Sequence, residues 1–412
     1  MAPVESVAIP AHDQLRAGAN AASPSAYQDA QGLVGKSSLT HLSLTNFRSY
    51  GSLSIAFDGR PVTLTGENGA GKTNILEALS LLGPGRGLRG ARLFELPRLE
   101  GDGSWAIAAR INEDGDERRL GVGASAQAQD RRQCRIDGNP ASGPTAFTNM
   151  LRFVWLTPSQ DRLFMEGASE RRRFFDRMVS AHDPAFSKTA NAYEQAMRQR
   201  QKLLEAGSRD AAWIGALEQQ MAEHGVAIAD ARRTMAITLS AREVSGDNDA
   251  FPAADIALEG VLEAALTNFA VSDVEDDFAE RLRMGRIRDR EAGRALVGPH
   301  RSDLIVGHRP KGRPARLCST GEQKALLIGL VLANARALAE RRTMSATPLV
   351  LLLDEIAAHL DEGRRASLFD ILDELNFPVY MTGTDQSLFK AWGNRAQHFT
   401  VQNGQVLPAC SP

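Results

Sequence analysis

Eight consecutive residues have the composition and spacing of a phosphate-binding loop. The segment Gly66-Glu67-Asn68-Gly69-Ala70-Gly71-Lys72-Thr73 has the form G-x-x-x-x-G-K-S/T and lies between an apolar stretch and an apolar helical stripe. Glycines in such a loop let backbone N–H groups turn toward phosphate oxygens, and the helix start adds a positive dipole. We predict that Lys72 reaches the β- and γ-phosphates of ATP and that Thr73 holds Mg²⁺. Asn74 directly follows and completes the predicted nucleotide-binding segment.

An apolar run that ends in two carboxylates supplies the second part of the site. Leu349–Leu353 is uniformly apolar, which is typical of a strand buried inside a parallel sheet, and Asp354 and Glu355 follow it. Ligands bind beyond the carboxyl ends of such strands. We therefore predict that Asp354 holds Mg²⁺ and that Glu355 orients and deprotonates an attacking water. An acidic N-cap of the next helix is the alternative for this pair.

A second candidate phosphate receptor precedes a later helix. Leu317–Gln323 reads Leu-Cys-Ser-Thr-Gly-Glu-Gln and resembles the ABC signature, whose usual form is Leu-Ser-Gly-Gly-Gln. Ser319 and Gly321 occupy matching places, and a hydroxyl with exposed N–H groups at a helix start can bind phosphate. In ABC proteins this segment binds the ATP of the other subunit, so the resemblance implies a head-to-tail homodimer that ATP holds together. The alternative is an ordinary helix cap, with Glu322 in a capping-box role.

Two further residues extend the resemblance to ABC proteins. Asp361, in His359-Leu360-Asp361, matches the D-loop that follows the Asp-Glu pair. Gln160 follows the predicted strand Phe153–Leu156 and is a candidate for the loop glutamine that touches Mg²⁺ and water. The resemblance thus adds Asp361 to the nucleotide-binding residues and Gln160 to the catalytic and metal-binding ones.

Composition limits the classes of protein that can carry these motifs. The chain has 412 residues, of which 43% are hydrophobic and 24% charged, and a net charge of −2. These values are typical of a globular protein and exclude a bulk basic protein that coats nucleic acid. The three cysteines are far apart and form no CxxC pair, which favours a reducing, cytoplasmic location. Since no apolar run is long enough to cross a bilayer, we expect no membrane partner.

The order of patterns predicts an α/β fold, an ABC-type P-loop ATPase head with a mixed sheet, interrupted by a helical, coiled-coil-like insertion. From about Pro184 to Glu243 the chain is rich in Ala, Gln, Glu and Arg, with a break near Gly207-Ser208, which indicates two long helices. The predicted domains are a flexible N-terminal extension (1–38), the N-terminal part of the head (39–182), a mainly helical insertion lobe (183–295) and the C-terminal part of the head (296–412).

Several longer segments resemble those of one family of ABC ATPases, the bacterial recombination-repair family RecF. The matching segments, between about Leu39 and Val401, are Leu44–Tyr50, Gly66–Ala78, Arg86–Arg89, Pro158–Asp176 and Gly298-Pro299-His300-Arg301-Ser302-Asp303. The last is the most distinctive, because the family shows Gly-Pro-His-Arg-x-Asp just before the strand that leads to the signature. The first contains Arg48, which the resemblance adds to the nucleotide-binding residues. A turn with a buried His300–Asp303 pair is the structural alternative for the last segment.

The resemblance implies a specific function. RecF-like proteins bind double-stranded DNA in an ATP-dependent way, dimerise on ATP and hydrolyse it slowly. They act with RecR and, in many bacteria, RecO at junctions of duplex and single-stranded DNA. There they help load RecA onto gaps, and they are linked to replication restart and the SOS response. Thr382-Gly383-Thr384 stands where many ABC proteins carry His, which also favours slow hydrolysis.

Other functions fit parts of the same pattern. An SMC-like or other ABC-type ATPase could clamp DNA outside the RecF pathway. A nuclease fusion, a P-loop phosphotransferase, a transporter's nucleotide-binding subunit and a clamp that does not hydrolyse ATP are further alternatives. A nuclease needs an additional acidic metal cluster, a phosphotransferase needs no signature, and a transporter subunit needs helices that dock on a membrane partner. Glu355 argues against a clamp without hydrolysis.

Overall fold

The computed structural model describes residues 38–113, 115–241, 250–341, 347 and 349–412. Apart from Ser38, the predicted N-terminal extension lies outside these residues, as do residues 242–243 at the end of the predicted helical region. The described strands are β1 (Ser38–Phe47), β2 (Tyr50–Ala56), β3 (Val62–Thr65), β4 (Trp105–Glu113), β5 (Asp116–Ala124), β6 (Gln133–Ile136), β7 (Asn139–Ala141), β8 (Arg152–Leu156), β9 (Ala254–Glu259), β10 (Asp303–His308), β11 (Arg313–Pro314), β12 (Leu349–Leu353), β13 (Val379–Gly383), β14 (Gln397–Gln402) and β15 (Gln405–Pro408).

Nine α-helices are described, and several of them follow one another without an intervening strand. They are α1 (Lys72–Ser80), α2 (Ala168–His182), α3 (Phe186–Glu205), α4 (Ala211–Ser240), α5 (Val261–Ala265), α6 (Val271–Met284), α7 (Arg286–Ala292), α8 (Thr320–Arg341) and α9 (Glu362–Leu375). None of the helices in this described part of the chain is long and apolar enough to span a membrane.

The described residues fall into two compact units that alternate along the sequence. The first unit takes its residues from 1–155, 344–358 and 376–412, and the second takes them from 156–343 and 359–375. The phosphate loop and the Asp354-Glu355 pair therefore belong to the first unit. Gln160, Ser319 and Asp361 belong to the second.

A largely parallel sheet brings the phosphate loop and the acidic strand end together. Its strands lie in the order β15-β14-β3-β13-β12-β8, and β14, β3, β13 and β12 pair in parallel. All residues of β12 are buried, so the predicted strand Leu349–Leu353 is confirmed. Because parallel strands end at the same edge of a sheet, the loop after β3 and the acids after β12 meet there.

An antiparallel sheet supplies most of the remaining core of the first unit. Its order is β2-β1-β4-β5-β6-β7, and each strand pairs antiparallel with its neighbours. Within it β4 and β5 pair antiparallel, from Trp105 opposite Ala124 to Glu113 opposite Asp116, and Asp114 between them lies outside the described residues. Phe47 and Trp105 pack against each other in this core, with ring centroids 5.9 Å apart.

The second unit contains the predicted pair of long helices. α3 and α4 pack against each other, and the break between them falls at the predicted Gly207-Ser208, where Gly207 has a left-handed φ of 63°. α4 also packs on α6 and on β9, which belongs to a small sheet of order β11-β10-β9. The 22-residue helix α8, which follows the signature-like segment, belongs to this unit as well.

A buried arginine joins several helices of the second unit. Arg200 on α3 is 1% exposed, and its Nε donates to Glu218 at 2.9 Å. Nη1 donates to Asp289 at 2.6 Å and Nη2 to the Leu282 carbonyl at 2.6 Å. One guanidinium thus pairs with two buried carboxylates, of which Glu218 also pairs with Arg286, and it fixes the positions of α4, α6 and α7 relative to α3.

We expect Arg200→Ala to destabilise the second unit by about 3–5 kcal/mol, because it leaves Glu218 and Asp289 buried with less compensation. Urea or thermal unfolding measures the loss. Arg198→Ala is the control, since the Arg198–Glu194 pair on the same helix is solvent-exposed and should contribute little. Equal stabilities of the two variants would contradict the role given to Arg200.

Candidate nucleotide-binding site

The phosphate loop has the backbone that its glycines predict. Gly66, Gly69 and Gly71 have φ values of 149°, 84° and 109°. A Cβ on Gly66 would lie 2.2 Å from the Val401 carbonyl oxygen, so a side chain cannot be accommodated there. A Cβ on Gly71 would lie 2.7 Å from the Tyr50 hydroxyl. The predicted loop residues Glu67, Asn68 and Ala70 lie between these glycines, and Glu67–Gly69 is exposed.

Lys72 folds back over this loop. Its Nζ donates to the carbonyl oxygens of Gly66 at 2.7 Å and Glu67 at 2.9 Å. Burial lowers the pKa of Lys72, while the carboxylates of Glu355 and Asp354 act in the opposite direction. The ammonium is therefore held at the mouth of the loop, beside the acids that end β12.

Two hydroxyls from different elements converge on one carboxylate oxygen. Oδ1 of Asp354 accepts from Thr73 Oγ1 at 2.9 Å and from Thr382 Oγ1 at 2.7 Å. Thr382 Oγ1 also accepts the backbone N–H of Glu355 at 2.9 Å. Burial raises the pKa of Asp354, and the two hydroxyl donors oppose that rise. The structure thus joins the two predicted metal-binding residues Thr73 and Asp354. It adds Thr382, which the sequence placed in the segment where many ABC proteins carry His but did not link to Asp354.

These groups fit a magnesium–triphosphate complex. Thr73 and Asp354 present hard oxygen atoms at one point, which is the ligand type that Mg²⁺ prefers. The glycine loop and Lys72 supply N–H groups and a positive charge next to them, as phosphate oxygens require. The donor set therefore suits both ATP and Mg²⁺.

Glu355 has an unusual backbone conformation for a non-glycine residue. Its φ is 54°, in the left-handed region, and its side chain is half-buried. Such a conformation costs on the order of 1–3 kcal/mol and persists where the surrounding structure fixes it. The hydrogen bond from its N–H to Thr382 provides that restraint. The strain sets the direction in which the carboxylate leaves the strand end.

A buried carboxylate orients two arginines beside the phosphate loop. Arg48, which also has a left-handed φ of 52°, donates from Nε and Nη2 to Glu77 at 2.9 and 2.6 Å. Arg89 Nη1 donates to Asn74 Oδ1 at 2.8 Å and to Glu77 at 3.1 Å. The positive charge of Arg89 weakly opposes the rise in the pKa of Asp354 that burial causes. Sequence reasoning did not identify Glu77 and Arg89 as site residues. The signal that could have identified Glu77 is its position as an acid on the inner, buried face of α1.

The signature-like segment forms a capped helix start within the second unit. Ser319, Thr320 and Gly321 are exposed. The Ser319 N–H donates to Glu322 Oε2 at 2.9 Å, and the Glu322 N–H donates to Ser319 Oγ at 3.4 Å. The capping-box geometry is therefore present, and it leaves the Ser319 hydroxyl on the surface. Hydrogen bonds from Lys311 and the Ser319 N–H lower the pKa of Glu322 to about 2, so this carboxylate is ionised at neutral pH.

The two remaining predicted residues make local hydrogen bonds in the second unit. Gln160 ends a short 3₁₀ turn, and its Oε1 accepts the Thr157 N–H at 3.1 Å. Asp361 Oδ1 accepts the Arg364 N–H at 2.8 Å at the start of α9. Both side chains are thus held by their own loops, and their roles toward nucleotide stay predictions.

In the Gly298–Asp303 segment, His300 and Asp303 form hydrogen bonds with other residues and not with each other. His300 Nε2 lies 3.0 Å from the Ala295 carbonyl oxygen, and Nδ1 lies 2.8 Å from the Tyr193 hydroxyl. Since a carbonyl only accepts, Nε2 carries the proton and Nδ1 accepts from Tyr193. Burial lowers the pKa of His300. Asp303 instead accepts from both Nε and Nη2 of Arg171, at 2.8 and 2.6 Å, so the alternative of a His300–Asp303 pair is wrong.

Comparisons with known proteins show which family the chain belongs to. The family model RecF/RecN/SMC N terminal domain matches residues 38–405. The DNA replication and repair protein RecF of Mesorhizobium japonicum is 51% identical over 372 residues, covering 90% of this chain and 97% of that protein. The RecF of Rhizobium etli is 48% identical over 377 residues, covering 90% of this chain and 99% of its own.

A solved structure extends the agreement to the fold. The structure of the recombination mediator protein RecF with ATP, in the RecFOR pathway, covers 92% of this chain and 99% of its own, with a TM-score of 0.77 and 22% identity. This likeness confirms the predicted ABC-type ATPase fold. From the family model and the two relatives we conclude that the chain belongs to the RecF family of DNA replication and repair proteins.

Proposed function

We propose that this chain is an ATP-dependent DNA-binding protein of recombinational repair and replication. It is an ABC-type ATPase with slow hydrolysis, it uses ATP and Mg²⁺, and it works in the cytoplasm. The observation that carries the proposal is the Thr73–Asp354 hydrogen bond of 2.9 Å, which joins the phosphate loop to the acidic strand end in a member of the RecF family.

The residues of the first unit account for binding and hydrolysis. Backbone N–H groups of the phosphate loop and the Lys72 ammonium bind the β- and γ-phosphates. Thr73 and Asp354 would hold Mg²⁺, which would offset the charge that develops on the phosphate oxygens. Glu355 holds the attacking water and accepts its proton. Thr382 fixes the positions of the two acids relative to each other, because its hydroxyl donates to Asp354 and accepts the Glu355 backbone N–H.

The residues of the second unit account for dimerisation. Ser319 and Gly321 are exposed at the start of α8, as residues that bind the γ-phosphate on another subunit must be. Asp361 is the proposed D-loop residue for the same nucleotide, and Gln160 is the proposed loop glutamine, whose amide would bind Mg²⁺ and water. Each homodimer then holds two ATP molecules, each between the phosphate loop of one subunit and the signature segment of the other.

Duplex DNA near single-strand gaps is the proposed nucleic-acid ligand. The relatives that support this are named for DNA replication and repair, and the solved relative is described as a recombination mediator of the RecFOR pathway. RecR is therefore the proposed partner, with RecO as a second candidate, and loading of recombinase onto the gap is the proposed outcome. The same names favour this pathway over an SMC-like clamp that acts elsewhere.

Binding to duplex, single-stranded and gapped DNA, each with ATP, ADP and no nucleotide, tests the proposal. Fluorescence anisotropy should show the tightest binding to duplex-containing DNA with ATP and weak binding with ADP. Binding that is equally tight without nucleotide would overturn the ATP-dependent mechanism. A preference for single strands would overturn the proposed DNA substrate.

A further inference from the structure

The signature segment is linked to a hairpin by a cluster of charged side chains. β10 and β11 form this hairpin, with Gly307 paired to Pro314 and His308 paired to Arg313. Its turn contains Lys311 and ends at Gly312, which has a left-handed φ of 57°. Lys311 and Arg313 both point to Glu322, whose Oε2 accepts from Arg313 Nη2 at 3.1 Å and whose Oε1 pairs with Lys311 Nζ.

Glu322 connects these two cations to Ser319. The oxygen that accepts from Arg313 also accepts the Ser319 N–H at 2.9 Å. The side chain of Glu322 is 23% exposed, whereas those of Lys311 and Arg313 are 44% and 43% exposed. A contact between exposed side chains is easily lost to solvent, so three simultaneous donors are needed to hold this carboxylate in one place.

The position of Glu322 also raises an electrostatic problem for the proposed function. Its carboxylate is ionised and lies one hydrogen bond away from Ser319, where a triphosphate of another subunit would bind. Like charges at that separation repel each other. Lys311 and Arg313 carry two positive charges against the one negative charge of Glu322, so the cluster as a whole favours an incoming anion.

We propose that Lys311 and Arg313 are positioning residues for ATP-dependent dimerisation. They act through Glu322, which fixes the Ser319 backbone, and they cancel the negative charge that Glu322 places beside the γ-phosphate. This inference rests on the proposed function, because it assumes that Ser319 binds the nucleotide of the other subunit. The inference gives a role to the β10–β11 hairpin, which contributes no residue to the phosphate loop or to the acidic strand end.

Sedimentation of the full chain with the slowly hydrolysed analogue ATPγS tests the proposal. Lys311→Met should raise the dissociation constant of the dimer about tenfold, as expected for loss of a charged hydrogen bond. The affinity of the monomer for the fluorescent ATP analogue TNP-ATP should stay the same, since the phosphate loop is untouched. Lys311→Arg should preserve the parent behaviour. Lys188→Met, which removes an exposed lysine of the same unit, serves as the control.

A double variant separates charge cancellation from simple support of the loop. Adding Glu322→Gln to Lys311→Met removes the uncompensated negative charge and should restore dimerisation to within about threefold of the parent. If the hairpin is only a structural support, the double variant will be no better than Lys311→Met. That result, or a Lys311→Met variant that dimerises like the parent, would overturn the inference alone. A parent chain that stays monomeric with ATPγS would overturn the proposed function and the inference together.

Discussion

Replacing Lys72 with Ala is expected to weaken ATP binding by about 10- to 100-fold. Hydrogen bonds to charged groups contribute about 1.5–3 kcal/mol, and 1.4 kcal/mol corresponds to about a factor of ten in affinity. In the structure the ammonium rests on the carbonyl oxygens of Gly66 and Glu67, at 2.7 and 2.9 Å, so it is already placed at the loop that binds phosphate. Isothermal titration calorimetry with ATP and Mg²⁺ measures the loss directly.

The loss of ATP binding should carry over to association. Because dimerisation depends on bound ATP, Lys72→Ala should remain monomeric at nucleotide concentrations that convert the parent chain to dimers, and its retention on duplex DNA should fall accordingly. Lys390→Ala is the matched control, since it removes an exposed lysine of the same unit. Lys72→Ala dimers as strong as those of the parent would show that nucleotide does not drive association.

Glu355→Gln is expected to reduce ATP hydrolysis by about 10²- to 10⁴-fold, the usual contribution of a positioned general base. The amide keeps the shape of the side chain and leaves the backbone N–H free to donate to Thr382 as before. ATP-dependent dimerisation and DNA binding should therefore persist, and the dimers should live longer because ATP is not consumed. Phosphate release and sedimentation, measured on the same protein, separate the two effects.

Glu374→Gln provides the control for this experiment, because it neutralises an exposed acid at the end of α9. Its hydrolysis rate should equal that of the parent. If Glu355→Gln also hydrolyses ATP at the parent rate, then Glu355 is not the general base. If it fails to dimerise with ATP, the acid has a role in association that the geometry does not account for.

The parts of the site that the sequence predicted are those whose signals are local. The phosphate loop needs glycines at fixed positions because left-handed backbone and close contacts occur there. The spacing of these glycines is therefore visible in the sequence. The uniformly apolar Leu349–Leu353 likewise predicts a buried parallel strand, since only a strand covered on both faces loses all alternation. The placement of Asp354 and Glu355 at the strand end follows from it.

The features that sequence reasoning missed depend on contacts between distant segments. The sequence singles out the segment 382–384, but it does not predict the bond from Thr382 to Asp354. That bond forms because β13 pairs in parallel beside β12, with Met381 opposite Leu353, and no local pattern reveals which strand is the neighbour. Glu77 resembled any acid on an amphipathic helix until its buried contacts with Arg48 and Arg89 were known. The His300–Asp303 pair was a reasonable guess from proximity in sequence, but Tyr193 and Arg171 are the partners because α3 and α2 pack against this segment.

Mixing two inactive variants tests the composite ATP site most directly. Lys72→Ala removes the phosphate-loop side of each site, and Ser319→Arg blocks the signature side. Each variant alone should stay monomeric with ATPγS. A mixed dimer, however, contains one intact site, in which the nucleotide on the Ser319→Arg chain meets the unaltered Ser319 of the Lys72→Ala chain. The account predicts dimers in the mixture only; a Ser319→Arg protein that dimerises alone as well as the parent, or a mixture that stays monomeric, would contradict it.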